Sequence, residues 1–114
     1  LKINEIDPGA ENIRFIAKVN TFFILVISAT LVSNRNGANN LRCVLGDETG
    51  VVNAFLAESP ELIVGRTVAL FNAEARVVKE HIEIQRARVE AARGQIDKVN
   101  EKFNLSEKSW VPVD

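Results

Sequence analysis

The chain offers few groups able to make or break bonds: it has one histidine, one cysteine and no tyrosine. His81 stands next to Glu80 and close to Glu83. General acid–base work would need it in a cleft with a partner, whereas beside a turn it reads as an exposed residue. Cys43 occupies an apolar position of an alternating stretch, so it reads as a small inert hydrophobe rather than a nucleophile. Asp47 and Glu48 precede Gly50, and turn formation explains them without catalysis or metal. The six glycines are dispersed and build no phosphate loop. No cysteine–histidine cluster is available for zinc. Neither an enzyme nor a cofactor is expected.

Binding chemistry is better supplied. Arg14, Lys18, Arg42 and Arg76 alternate away from the apolar faces of their segments, and so does Phe55. Arg35 lies in the polar stretch 33–40, rich in asparagine. A single nucleic-acid strand needs both kinds of group, cations for its phosphates and a ring to replace lost base stacking. Glu74 and Glu83 share this face and would repel phosphate. The competing reading takes these as solvated charges, with Phe55 filling a bend or meeting a protein partner.

The elements that must position these residues are strands. In residues 41–57, Leu41, Cys43 and Leu45 recur at period two, a turn follows at 47–50, and Val52, Ala54 and Leu56 resume the alternation. Residues 12–20 also alternate, and apolar density continues through 21–32 as one long strand or two successive ones. Residues 66–78 switch parity: Val68 and Leu70 fit one face, Ala73, Ala75 and Val77 the other, which marks a bulge near Phe71 and Asn72. Lys79-Glu80 is a two-residue turn, and Ile82 and Ile84 point inward from residues 81–86. The three- and four-residue spacings of Val89, Ala92, Ile96, Val99 and Phe103 predict a short C-terminal helix over 95–102. The whole predicts an all-β chain, a five-stranded barrel of the oligonucleotide/oligosaccharide-binding (OB) kind with a short C-terminal helix, one domain over 1–114.

Composition agrees with one such domain. An apolar fraction of 46% supports a core, and a formal net charge of −1 supplies no global field for a polyanion. A lone cysteine forms no intrachain disulfide and points to a reducing compartment. The most apolar run, 22–32, is shorter than the roughly 20 residues of a membrane helix, so no membrane partner is expected.

The run Ile6-Asp7-Pro8-Gly9 with Asn12-Ile13, the stretch 43–53, Leu62-Ile63-Val64-Gly65-Arg66 and the stretch 75–82 together resemble a known family. It is the single OB-fold subunit of the eukaryotic sensor-of-single-stranded-DNA complex, with its archaeal single-stranded-DNA-binding relatives. The resemblance spans nearly the whole chain. It implies a barrel that binds single-stranded DNA in repair complexes, in the nucleus or alternatively the cytoplasm, beside other subunits of a repair complex. RNA is the other nucleic-acid partner to consider. The family's rings on strands three to five correspond here to Ala57, Glu74, Val78 and Gln85, which leaves Phe55 as the stacking candidate. The other class of function is an OB-fold protein–protein interaction subunit.

Overall fold

The computed structural model describes residues 1–23, 40–57 and 59–109. Its strands are β1 (Ile13–Phe23), β2 (Asn40–Asp47), β3 (Gly50–Ala57), β4 (Thr67–Val78), β5 (His81–Gln85) and β6 (Arg88–Ala91). They follow the order β1-β2-β3-β5-β4-β6, and β1 also pairs with β4. That last pairing closes a five-stranded, OB-like barrel, with β6 carrying the line of β5 onward along β4. Among the described residues, one strand pair, β3 with β5, is parallel.

Alternation sets what fills the barrel. Phe15, Ala17 and Val19 point inward from β1, Cys43 and Leu45 from β2, and Val52, Ala54 and Leu56 from β3. Val68, Leu70, Ala73 and Ala75 of β4 and Ile82 and Ile84 of β5 complete the interior, and Ile3, Ile6, Leu62 and Leu105 pack against it. Each large aliphatic so buried contributes about 1.5–3 kcal/mol. The parity switch in β4 is a bulge: Ile13 pairs with Ala73 and Phe15 with Leu70, so Phe71 and Asn72 together face Arg14. Asn72 takes φ 57° there, a conformation asparagine tolerates well. Val77, expected inside, is 39% exposed, because β4 runs past the end of the packed interior.

The expected C-terminal helix is absent. Residues 92–104 form instead an extended strap, ending in a 3-10 turn at Leu105–Glu107. An isolated helix of eight residues cannot recover its nucleation cost, and here the backbone finds better partners on the barrel. Ile96 N–H donates to Thr67 Oγ1 (3.1 Å), Asn100 N–H to the Asp47 carbonyl (2.9 Å), and Val51 N–H to the Phe103 carbonyl (2.8 Å). Val99 covers Gly46 and Phe103 covers Gly50, leaving no space for a Cβ at either glycine. Ser106 then bridges two strands: its Oγ accepts from Asn53 N–H (2.8 Å) and donates to the Ile82 carbonyl (2.6 Å).

The β2–β3 turn is fixed by a fully buried carboxylate. Asp47 Oδ1 accepts from Thr49 N–H (2.8 Å), the Thr49 hydroxyl and Gly50 N–H (3.2 Å), while Oδ2 accepts from Ile3 N–H (2.9 Å). Replacing it leaves these donors without an acceptor in a dry environment. Asp47→Ala is expected to lower the unfolding free energy by about 3–5 kcal/mol, read from urea denaturation, with Asp47→Asn falling between. A midpoint within experimental error of the parent would show that water satisfies those donors and that the carboxylate is dispensable.

Candidate functional site

The hairpin that Asp47 anchors presents its opposite end to solvent. Arg42 of β2 pairs with Phe55 of β3, Phe55 with Gln85 of β5, and Gln85 with Glu74 of β4. Because neighbours in a row share a sheet face, this is one outward row across four strands. The ring of Phe55 is half-buried, with the Arg42 guanidinium 4.9 Å from its centroid. Arg42 Nη1 also donates to Glu83 Oε2 (2.9 Å), and Gln85 Nε2 donates to Glu83 Oε1 (2.7 Å). Arg86 lies 3.8 Å from Glu74. Arg76, paired in register with Glu83, is exposed and has no ion-pair partner among the described residues. The family's four ring positions fall on this same side: Ala57 and Val78 are exposed, Glu74 and Gln85 half-buried.

The six residues expected from sequence therefore divide. Arg42, Phe55 and Arg76 share this face. Arg14 lies on β1, over the ring of Phe71 at 4.9 Å. Lys18 sits in register between Gly46 and Thr67, where the strap crosses. Arg35 lies outside the described residues. Sequence reasoning did not select Phe71, although the parity switch at 71–72 was the signal that its ring turns outward. Arg88 stands over Phe71 (5.1 Å) and Arg86 against Glu74.

Beside Phe55 is a recess of about 250 Å³ lined by Arg42, Asn53, Val78, Lys79, His81 and Glu83, among others. Asn53 Oδ1 is buried and has no hydrogen-bond partner among the described residues. The recess is bounded by the β4–β5 turn, where Lys79 and Glu80 both take positive φ (50° and 72°), the backbone of a type I′ hairpin. His81 Nδ1 lies 3.1 Å from the Lys108 carbonyl, so the only histidine of the chain is tied to the strap. A larger recess of about 520 Å³ between the β3–β4 connection and the start of the strap lacks both an aromatic ring and a carboxylate. Among the described residues, no three His, Cys, Asp or Glu side chains gather as a metal set.

No family model matches the chain, and no curated protein matches it. In structure it is similar to a hypothetical protein from Arabidopsis thaliana solved in solution. The TM-score is 0.77 with 22% identity, over 100% of this chain and 87% of that one. At that identity the likeness speaks for the fold.

Two features of this region have measurable consequences. Burial pushes the Cys43 thiol up to about 12, whereas in the unfolded chain it ionises near about 8.5. The native thiol is expected to react with iodoacetamide at pH 8 at least about 10³-fold more slowly than after unfolding. The folded state keeps its proton as pH rises while the unfolded state loses one. Stability should therefore fall by about 2 kcal/mol between pH 8 and 10, a loss that Cys43→Ala removes; a flat pH profile for the parent would contradict the burial. Arg86 holds φ 59°, a strained backbone for a residue with a Cβ. Arg86→Gly is expected to raise stability by about 0.5–1 kcal/mol in thermal melts. A lower melting temperature would mean that its exposed pair with Glu74 outweighs the strain.

Proposed function

We propose that this domain binds single-stranded nucleic acid, with DNA as the assigned ligand, and that it does so without catalysing a reaction. The observation that carries the reading is Phe55, an outward ring stacked with Arg42 on a four-strand face that also holds Arg76, which has no ion-pair partner among the described residues. A base laid on Phe55 recovers stacking worth about 1–3 kcal/mol, and Arg42 and Arg76 meet the adjoining phosphates. The OB-like topology and the resemblance to the single-stranded-DNA sensor subunit support the same ligand, and with it a place in genome maintenance in the nucleus. RNA is the nearest variant, since stacking on a ring does not distinguish the sugars.

Glu83 makes the binding an exchange. Its carboxylate holds Arg42 before the ligand arrives, so a phosphate must compete for the guanidinium. A second reading, an OB-fold subunit that binds protein instead, draws on the same carboxylates together with the exposed Val77 and Val78. On that reading the face is already neutralised and meets the complementary charges and aliphatics of a partner.

Titration of labelled single-stranded DNA and RNA at several salt concentrations separates the two. Phe55→Ala is expected to weaken DNA binding about 5- to 150-fold. Arg76→Ala should weaken it and reduce the slope of log K against log salt by about 0.7. Glu83→Gln should tighten it by releasing Arg42. Absence of salt-sensitive binding at tens of micromolar, or binding indifferent to Phe55→Ala and Glu83→Gln alike, would favour the protein partner and overturn the nucleic-acid reading.

A further inference from the structure

We infer that Phe71, with Arg14 and Arg88, forms a second seat for the same single strand, taking successive phosphates at the two guanidiniums and a base against the ring. The inference rests on the reading of the Phe55 face given above, and extends it around the barrel.

Backbone, charge and position carry it. The β4 bulge sets two residues opposite one, which turns Phe71 outward between inward-facing Leu70 and Ala73. Bulges of this kind re-aim side chains beside functional sites. Arg14 comes from β1 on one edge of β4 and Arg88 from β6 on the other, with centroid distances of 4.9 and 5.1 Å. Two cations thus converge on one half-buried ring. Arg88 has an exposed carboxylate neighbour, Glu90 at 3.4 Å, and Arg14 has none among the described residues. A ring approached by two guanidiniums and barely neutralised is suited to an anion with a planar group, which is what a nucleotide is.

The two seats are also joined. Phe71 pairs with Arg88, Glu74 with Gln85, and Gln85 with Phe55. From a strand rise of about 3.3 Å and a strand spacing of about 4.8 Å, the two rings lie roughly 14 Å apart over the surface, within reach of a few nucleotides. Arg86 stands between them with its backbone in the left-handed region at φ 59°. Strain of that sort, held by a residue where glycine would fit, concentrates at ligand clamps. In free protein Arg86 rests against Glu74; with a strand bound it is placed to bridge the two seats.

The test compares an oligothymidylate of about 6 nucleotides with one of about 20, titrated against the whole chain from about 50 to about 200 mM salt. The variants are Phe55→Ala, Phe71→Leu, the pair R14Q/R88Q, and R66Q/R93Q as a control with equal charge loss away from the track. The second seat predicts that R14Q/R88Q lowers the salt slope for the long strand by about 1.4. Phe71→Leu should weaken both lengths about tenfold, since about 6 nucleotides already reach from one ring to the other, whereas R66Q/R93Q should leave the Phe71 effect unchanged. If R14Q/R88Q matches its control while Phe55→Ala weakens both lengths, the second seat is overturned and the Phe55 reading stands. If the parent binds neither length, both fall together.

Discussion

A buried carboxylate organises this small barrel. Asp47 is withdrawn from water, and a charge so placed is tolerable only when hydrogen bonds replace its hydration. Those bonds come from separate parts of the chain: Ile3 at the N-terminal turn, and Thr49 and Gly50 in the hairpin turn. The carbonyl of the same residue takes Asn100 of the strap. Three stretches with little else in common are thereby fixed to one point at the closed end of the β2–β3 hairpin. The ladder then runs in strict register from Asp47–Gly50 to Asn40–Ala57. The far end of that ladder carries Arg42 and Phe55, so their mutual position is set by a turn they never touch.

The strap extends the same constraint around the barrel. From β6 it passes Thr67, Asp47, Gly50 and Val51, and ends with Ser106 between β3 and β5. The β3–β5 pairing is short, and Ser106 adds a bridge where the ladder itself gives out. The brief parallel seam between β3 and β5 thus gains a second link from a residue outside the strands. Gly46 and Gly50 serve this directly, since the strap lies where their side chains would be.

What was legible in the sequence follows from the range of the forces involved. The alternation in 41–57 and the parity switch at 71–72 are local patterns, and each reappears as strand and bulge. The spacings of Ile96, Val99 and Phe103 are also local, but they arise from where an extended chain crosses the barrel rather than from helical turns. Two glycines at 46 and 50, in a hairpin otherwise packed with side chains, were the trace of that crossing. Phe55 could be assigned to the outer face from its parity. Its companions could not be found that way: Arg42 meets Glu83 from 41 residues away, and Arg14 meets Phe71 across two different strands. Register between distant strands brings such groups together, and no short window of sequence contains it.

On the proposed nucleic-acid reading, the carboxylates on the Phe55 face bear on selectivity more than on affinity. An ion pair near the surface contributes about 0–1 kcal/mol, because water competes for both partners. Arg42 is 45% exposed, and its release to a phosphate forfeits little. Glu83 is more enclosed at 12%, and abandoning it outright would be costly in that setting. It is not abandoned, because Gln85 remains hydrogen-bonded to its other oxygen. The exchange therefore trades one charge-assisted contact for another, and a base on Phe55 replaces the Arg42 guanidinium over that ring, so the net gain is the stacking less the cation–π contact. A chain with a formal net charge of −1 has no broad field to hold a polyanion at arbitrary points. On the proposed reading, attraction is confined to places where a ring and a releasable arginine coincide, an arrangement suited to a flexible single strand rather than the rigid duplex.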